Sequence, residues 1–278
     1  MSDLTPHFED VQSHYDLSDD FYRLFLDPTQ TYSCAYFERD DMSLEEAQLA
    51  KIDLSLGKLG LEPGMTLLDI GCGWGSTLLR AIERYDVNVV GLTLSENQHV
   101  HVQEAFDALD SPRSKRVLLE GWEQFDEPVD GIVSIGAFEH FGRDRYEDFF
   151  AMTHRVLPAD GVMLLHTISR LTLAEVEERG IPLTMDAARF AMFVAKEIFP
   201  GGHLPAIEAV EEHATGAGFA VTRSSPCSCT TPAPSTSGPM PCRRTRKKQS
   251  ASSPKRSTTG TRGTSPAART CSARATST

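Results

Sequence analysis

The chain has 278 residues and a formal net charge of −12 at pH 7, a length that accommodates one large α/β domain or two small ones. It contains no run of about 18 apolar residues, which argues against a transmembrane helix. Its first residues lack the basic and apolar regions of a signal peptide, so we expect a cytoplasmic protein.

The charge is distributed unevenly along the chain and divides at Arg223. Residues 1–223 contain 17 basic and 39 acidic residues, a formal charge of −22, whereas residues 224–278 contain ten Lys or Arg and no Asp or Glu. The acidity of the first part argues against nucleic-acid binding. Its two cysteines, Cys34 and Cys72, do not provide a disulfide framework.

Residues 1–60 are predicted to form a helical region over the active site. An amphipathic pattern with many aromatic side chains covers residues 7–26. Ser43 and Glu46 have the spacing of a capping box, which predicts a helix that continues to about Leu59.

Residues 61–223 alternate strands with helices, which predicts an α/β fold with a doubly wound, mostly parallel sheet. The predicted strands are Thr66–Ile70, Asn88–Leu92, Val117–Leu119, Gly131–Ile135 and Val162–Thr167, and the helices between them are Ser76–Tyr85, Ser95–Leu109 and Tyr146–Val156.

A helical insert at residues 171–199 interrupts this alternation. Two helices are predicted, Leu171–Arg179 and Met185–Ile198, and the second is rich in Phe and Met. Helices that follow strand five would lie over the carboxyl edge of the sheet, where α/β proteins bind ligands. An apolar lid there would suit a long hydrocarbon substrate. An additional core helix fits the same pattern equally well.

The first strand leads into a glycine-rich turn. It ends in Asp69, and glycine follows at alternate positions, Gly71, Gly73 and Gly75. Glycine lets the backbone approach a nucleotide-like ligand at the start of a helix, although such a turn also needs glycine for steric reasons alone. The Gly-x-Gly-x-Gly spacing resembles the S-adenosylmethionine loop of class I methyltransferases.

The last part of the chain differs in composition from the rest. After Val221 there is no Leu, Ile, Val, Phe, Tyr or Trp, and Ser and Thr supply 23 of the last 55 residues. Because such a segment buries little apolar surface, we expect residues 224–278 to be disordered, without a packed strand.

Two explanations remain open for this tail. It is a basic Ser/Pro-rich segment that contacts nucleic acid or a membrane surface, or it is out of frame after a frameshift in a GC-rich gene. Four cysteines and the abrupt change of composition favour the frameshift. Back-translation with plausible codons, shifted to the third base, can recover a string that contains His-Tyr from residues 226–239 and Tyr-Leu-Thr-Gly-Cys-Ala from residues 263–269.

Five motifs together resemble the cyclopropane fatty acid synthases, and most closely the mycolic acid cyclopropane synthase and methyltransferase group of mycobacteria. They are Tyr32–Phe37, Leu68–Gly75, Gly91–Gln98, Gly121–Trp122 and Gly136–Phe141, and the resemblance covers residues 1–223 almost continuously. It implies a Rossmann-like, class I S-adenosylmethionine-dependent methyltransferase.

The resemblance also implies a set of cofactor contacts. Tyr32 and Ser33 would contact the methionine end, a polar side chain such as Gln98 would hold the ribose, and Trp122 would offer a flat face to the adenine. Ordinary core packing is the alternative for Trp122. The full set is Tyr32, Ser33, Asp69, Gly71, Gly73, Gly75, Thr93, Leu94, Ser95, Glu96, Asn97, Gln98, Trp122 and Glu123.

The implied reaction is methyl transfer to a cis double bond of a long acyl chain, a mycolic acid precursor. An alkene is a poor nucleophile, so the site must hold the reactants in line and dry. Aromatic faces can stabilise the resulting carbocation, and ring closure needs a base.

In this family the base is thought to be a bound bicarbonate, whose ligands match Cys34, Glu139 and His166, with His140 adjacent. Taken alone, Glu139 and His140 fit a surface loop and His166 a core histidine. No metal site is predicted.

The chain departs from the family near its end. The family has a tyrosine in His-Tyr and a cysteine in Tyr-Leu-Thr-Gly-Cys, which occur here only in the shifted frame, and Cys271 is no substitute. The acyl half of the site is therefore incomplete. One alternative function is an inactive gene product that at most binds cofactor, and another is a small-molecule methyltransferase.

The family's soluble members suggest that acyl carrier protein presents the acyl chain. An acidic carrier would need a local basic patch on this acidic protein. Arg143, Arg145 and Arg155 are the candidates, although a solvated helix face explains them as well.

Overall fold

The computed structural model describes residues 4–6, 12, 15, 18–199, 201–227 and 268–275, the last of these for the backbone alone. The α-helices are α1 (Asp19–Arg23), α2 (Leu44–Leu56), α3 (Ser76–Tyr85), α4 (Glu96–Ala108), α5 (Tyr146–Val156), α6 (Leu173–Glu178), α7 (Met185–Phe193) and α8 (Ile207–Gly216), and a π-helix, Val194–Ile198, follows α7 directly. The strands are β1 (Thr66–Ile70), β2 (Asn88–Thr93), β3 (Lys115–Leu119), β4 (Gly131–Ile135), β5 (Val162–Ile168), β6 (Phe219–Cys227) and β7 (Ala268–Ala275).

The strands form one sheet in the order β3-β2-β1-β4-β5-β7-β6. Strands β1 to β5 pair in parallel, and β7 pairs antiparallel with both β5 and β6. This architecture confirms the predicted doubly wound, mostly parallel sheet. Because the chain crosses from β3 back to β4 beside β1, the strand order reverses between β1 and β4, which is where such folds bind ligands.

Helices cover both faces of the sheet, as two apolar clusters show. One cluster joins the sheet to α2, α3 and α4 through side chains such as Ile52, Leu78 and Phe106. The other joins it to α5 and α8 through side chains such as Phe149 and Val210. The parallel strands are buried on both faces, which explains their nearly continuous apolar sequences.

Most predicted elements agree with the structure to within a few residues. Helix α2 has the predicted capping box, since Ser43 Oγ accepts from Glu46 N and Glu46 Oε2 accepts from Ser43 N, but it ends at Leu56 rather than Leu59. The predicted helical region 7–26 lies largely outside the described residues, and α1 represents its last part.

The expectation that no strand follows residue 223 is wrong. Strand β6 continues to Cys227, and β7 inserts between β5 and β6 with backbone pairing on both sides. Backbone hydrogen bonds need no large apolar side chain, which is why composition alone misjudged this segment. The remainder of the predicted disordered tail lies outside the described residues.

The insert at 171–199 does not contribute a core helix. Every residue of α7 is exposed, and Met185, Phe190 and Met192 are each about 70% exposed. The alternative of an additional core helix is therefore wrong. Within the part of the chain that the structure describes, no helix is both long and apolar enough to cross a membrane.

Candidate active site

A cleft opens at the carboxyl edge of the sheet, beside the point where the strand order reverses. Its walls come from the loops after β1, β2, β3 and β4 and from the segment before α2. The predicted site residues that line it are Tyr32, Ser33, Asp69, Gly71, Gly73, Thr93, Leu94, Gln98, Trp122, Glu123 and His140. Gly75, Ser95, Glu96, Asn97, Cys34, Glu139 and His166 are not among the lining residues.

The glycines of the loop after β1 have different tasks. Gly73 has φ +56°, and a Cβ atom there would meet no described atom within 4 Å, so a side chain would point into the cleft. Gly75 begins α3 with φ +85°, and a Cβ atom there would lie 2.9 Å from Val102 Cγ2. Gly73 thus keeps the cleft open, whereas Gly75 allows α3 and α4 to pack.

Asp69 lines the cleft and is almost fully buried. Burial raises the pKa of its carboxyl to about 7, and the charge of Lys51 opposes this rise. The same burial, together with the charge of Asp69, raises the pKa of the neighbouring Cys72 thiol well above its usual value. The loop therefore has no reactive thiolate.

The wall formed by residues 31–33 is held in place by α2. Gln48 Nε2 donates to the carbonyl oxygens of Thr31 and Ser33 at 3.1 and 2.8 Å, and Lys51 Nζ donates to Ser33 Oγ at 2.6 Å. The sequence analysis missed Gln48 and Lys51. Gln48 and Lys51 are three residues apart and therefore lie on one face of the predicted helix, together with Ile52. This spacing was the available signal, but polar residues on a solvent-exposed helix face have the same spacing.

Trp122 both packs in the core and lines the cleft. It is 4% exposed, and its ring lies 5.4 Å from that of Phe149 in an edge-to-face arrangement. Glu123 beside it accepts a hydrogen bond from Arg145 Nη1 at 2.9 Å, and its Oε2 atom has no partner among the described residues. Trp122 and Glu123 therefore both line the cleft, and one buried carboxylate oxygen of Glu123 is left without a partner among the described residues.

The loop after β2 places only part of the predicted segment in the cleft. Thr93 Oγ1 donates to Gln98 Oε1 at 2.7 Å, which orients the Gln98 amide. Ser95 is buried and caps α4 by accepting from Gln98 N, whereas Glu96 is exposed in the first turn. Ser95 and Glu96 therefore contribute to the helix end rather than to the cleft.

The three predicted bicarbonate ligands are buried behind the cleft wall. Glu139 Oε1 accepts from Ile168 N, and burial raises the pKa of its carboxyl. Burial, together with the charge of Lys51, lowers the pKa of His166 to about 3, so its imidazole is neutral. Both His166 nitrogens and Glu139 Oε2 have no hydrogen-bond partner among the described residues.

Gly136 connects these buried groups to the cleft. Its N–H donates to His166 O at 2.9 Å, and a Cβ atom on it would lie 3.2 Å from Ser33 Cβ. The segments that carry Cys34, Glu139 and His166 therefore meet at Gly136. His140 itself lines the cleft, and its Nε2 atom lies 3.3 Å from Tyr15 Oη.

An aromatic corner closes the cleft on the side of the N-terminal region. Tyr15 packs against Tyr32 and Trp74 with ring centroids 6.1 and 6.5 Å apart, and the Tyr22 and Trp74 centroids are 4.8 Å apart. Tyr15 and Trp74 were not predicted as site residues. Their aromatic character was visible in the sequence, but their convergence depends on the position of the N-terminal region over the sheet.

Comparison with known proteins gives the family that the sequence motifs predicted, over most of the chain. Residues 2–228 match the family described as mycolic acid cyclopropane synthetase. The chain is 71% identical over 223 residues to the cyclopropane mycolic acid synthase MmaA2 of Mycobacterium tuberculosis, an alignment that covers 80% of this chain and 78% of that protein.

Two solved structures are similar as well. The MmaA2 structure from Mycobacterium tuberculosis has a TM-score of 0.80 and 70% identity, over 81% of this chain and 79% of that one. The mycolic acid cyclopropane synthase CmaA1, complexed with SAH and CTAB, has a TM-score of 0.78 and 68% identity, also over 81% of this chain and 79% of that one.

Proposed function

Because the chain belongs to the mycolic acid cyclopropane synthetase family, we propose that it transfers the methyl group of S-adenosylmethionine to a cis double bond of a long acyl chain, a mycolic acid precursor. Its fold is that of the class I S-adenosylmethionine-dependent methyltransferases. The observation that carries the proposal is the cleft at the carboxyl edge of the sheet, where the strand order reverses. The glycine loop, Trp122 and His140 all line this cleft.

The residues of the cleft fit S-adenosylmethionine, which supplies a methyl group on a sulfonium. Trp122 offers its ring to the adenine, and Glu123 Oε2, which has no partner in the described residues, accepts from an exocyclic amino group. Thr93 orients the Gln98 amide so that its Nε2 atom can donate to a ribose hydroxyl. Space in front of Gly73 allows the backbone to approach the ligand.

The aromatic corner suits the electron-deficient intermediate of the acyl chain. The π faces of Tyr15, Tyr32 and Trp74 attract a cation, and their apolar area excludes water from it. Exclusion of water matters because a carbocation that captures water gives an alcohol rather than a ring.

The buried polar groups behind the wall fit a bicarbonate ion, which supplies the base for ring closure when bound. Burial raises the pKa of the Glu139 carboxyl, and in its protonated form this group can donate a hydrogen bond to an anion. Neutral His166 has one N–H to donate, and neither of its nitrogens has a partner in the described part of the protein. These two side chains are proposed to hold the ion, with Cys34 beside them.

Acyl carrier protein remains the proposed carrier of the substrate. Arg143 and Arg155 are exposed and can contribute to a basic docking patch. Arg145 cannot serve in the same way, because its side chain is 14% exposed and pairs with Glu123.

We also propose that this chain is impaired by a frameshift close to the start of the tail. The family match ends at residue 228, a few residues after the composition changes. The alignment with MmaA2 leaves 22% of that protein uncovered. An inactive product that at most binds cofactor is thus the second candidate function.

Incubation of the full chain with methyl-labelled S-adenosylmethionine and cis-unsaturated acyl substrates, free and carrier-bound, tests the proposal. Mass spectrometry should detect acyl product that carries the label, and the Gly73→Val variant should form none. Labelling of small polar acceptors in place of acyl chains would contradict it. Cofactor binding without turnover would support the impaired chain instead.

A further inference from the structure

Three segments meet outside the cleft, beyond the ends of β4 and β5. His203 N donates to Glu139 O at 2.7 Å, and Arg170 N donates to Pro205 O at 2.9 Å. These two hydrogen bonds join the segment before α8 to the loop after β4 and to the residues after β5. The polar side chains of this junction, which do not line the cleft, are Arg143, Tyr146, Arg170 and His203.

Tyr146 is the most buried member of the junction. It is 1% exposed, and its ring centroid lies 6.4 Å from that of His203 and 5.7 Å from that of His213. Its hydroxyl oxygen is buried without a hydrogen-bond partner among the described residues. Burial, and then the charge of Glu139, raises the pKa of the phenol, so the hydroxyl keeps its proton. A buried O–H group without an acceptor is unfavourable, and an oxygen atom of a ligand would remove that cost.

Two arginines act on Tyr146 and His203 from the surface. Arg143 and Arg170 are exposed, and neither forms an ion pair within the described part of the chain. Burial, and then the charges of Arg170 and Arg143, lower the pKa of His203, and the same two charges oppose the rise in the pKa of Tyr146. Both guanidinium groups therefore lie near the same two rings. Like charges repel one another, and a bound anion would relieve that repulsion.

The acidic side chains of this region do not pair with the arginines. Asp144, Glu147 and Asp148 are exposed, and none of them takes part in an ion pair among the residues that the structure describes. Glu139 is buried, and its Oε1 atom accepts from Ile168 N. The positive charges of the junction are therefore available to an external anion.

A phosphate ester is the anion that these donors complement. Guanidinium groups bind phosphate through paired N–H donors, and a tyrosine hydroxyl and a neutral imidazole each add one donor. The junction also follows the exposed apolar insert, since three residues separate Phe199 from His203. Phe190 and Met192 of that insert are 68% and 73% exposed. A ligand with both a long hydrocarbon chain and a phosphate ester would match these two neighbouring surfaces.

We propose that the junction binds the phosphate ester of the thiol arm to which the acyl chain is attached, an inference that rests on the proposed function. The guanidinium groups of Arg143 and Arg170 supply the positive charge of this phosphate subsite. Tyr146 Oη and one imidazole nitrogen of His203 donate to the phosphate oxygens. A phosphate held at this place would fix how far the attached chain extends towards the cleft.

Calorimetry on the full chain with two matched ligands tests the phosphate subsite. The ligands are thioesters of one cis-unsaturated fatty acid with 4′-phosphopantetheine and with pantetheine, which lacks only the phosphate, both below the concentration at which they form micelles. The phosphorylated thioester should bind about tenfold more tightly or better. Inorganic phosphate should compete with it but bind more weakly. Inorganic phosphate that binds equally well would overturn the assignment to an ester.

Four variants identify the residues of the subsite. Arg170→Met should reduce the difference between the two thioesters to about twofold or less and leave the affinity for the pantetheine thioester unchanged within about twofold, and Arg143→Met should act in the same direction. Tyr146→Phe removes the hydroxyl alone. It should reduce the preference for the phosphorylated thioester without lowering the melting temperature, because this hydroxyl has no partner in the described residues. Arg84→Met, which alters a half-exposed arginine of α3, is the control and should change neither affinity.

The results separate the subsite from the proposed function. Equal affinities of the two thioesters for the unaltered chain, or failure to bind either of them, would overturn the subsite. Equal losses for both thioesters in Arg170→Met would overturn it as well. Methyl transfer is measured separately in the labelling assay, so the absence of labelled acyl product counts against the proposed function alone.

Discussion

Arg145 and Glu123 form an ion pair at the wall of the cleft, with Nη1 and Oε1 2.9 Å apart and side chains only 14% and 4% exposed. The same Arg145 nitrogen donates to the carbonyl oxygen of Thr5 and so ties the N-terminal segment to the pair. One carboxylate oxygen of Glu123 is thereby fixed, and the other, Oε2, is buried without a hydrogen-bond partner among the described residues.

Loss of this pair should weaken both the fold and cofactor binding. Arg145→Met leaves a buried carboxylate without its cation, which typically costs roughly 3–5 kcal/mol. We expect a lower melting temperature and weaker binding of S-adenosylhomocysteine by thermal melting and calorimetry. Arg155→Met, which alters an exposed arginine of α5, should change neither. A melting temperature equal to that of the unaltered chain would show that the pair is dispensable.

Cofactor binding should depend on the backbone at Gly73. A valine there would occupy the cleft and would adopt a left-handed conformation that costs roughly 1–2 kcal/mol, so binding of S-adenosylhomocysteine should be lost. Calorimetry measures the affinity, and melting in the absence of ligand reports the cost to the fold. Retained affinity would contradict the placement of the cofactor in this cleft.

Trp122→Ala should weaken the binding of S-adenosylhomocysteine by more than the loss of core packing alone would. The lost stacking face is worth about 0.5–1.5 kcal/mol, or up to about tenfold in affinity. Because Trp122 also packs against Phe149, the control is Phe149→Leu, which disturbs the same core outside the lining of the cleft. Equal affinities in the two variants would mean that Trp122 acts through packing alone.

His166 should make stability depend on pH. Its folded pKa of about 3 lies below its ordinary value of 6.5, so the unfolded chain binds the extra proton first. The stabilising contribution is fully present above pH 6.5 and is lost as the pH falls towards 3, by about 1.4 kcal/mol for each unit of pKa difference. In denaturant titrations at several pH values, His166→Gln should lose less stability than the unaltered chain over this range. His99→Gln, on α4, is the control, and identical profiles for the His166 variant and the unaltered chain would contradict the prediction.

A frame-corrected chain should be much more active than this one. In the proposed frame, the segment would contain the tyrosine and cysteine of the family pattern and large apolar side chains, whose burial would stabilise the fold by roughly 25 cal/mol for each Å². We expect a higher melting temperature and faster turnover of a cis-unsaturated acyl substrate. Equal activity of the two chains would show that the segment is dispensable.

The sequence by itself determined the elements of the sheet and the position of the cofactor loop. Continuous apolar runs from Thr66 to Ile70 and from Gly131 to Ile135 predict buried strands, and the glycines after β1 predict the turn. These features depend on neighbours in the chain, which is why local pattern sufficed for them. Trp122 and Gln98 were found because the motifs that contain them resemble a known family.

Only the tertiary structure decided which polar groups meet. Lys51 and Ser33 are 18 residues apart, and Arg145 and Glu123 are 22 apart, so no periodicity links them. The exposure of α7 likewise depends on whether another element packs on it, which its apolar composition does not show. Strand β7 arises from backbone pairing between β5 and β6, a long-range interaction to which side-chain composition contributes little. Local sequence specifies conformation and burial tendency, whereas contacts between distant segments require the folded chain.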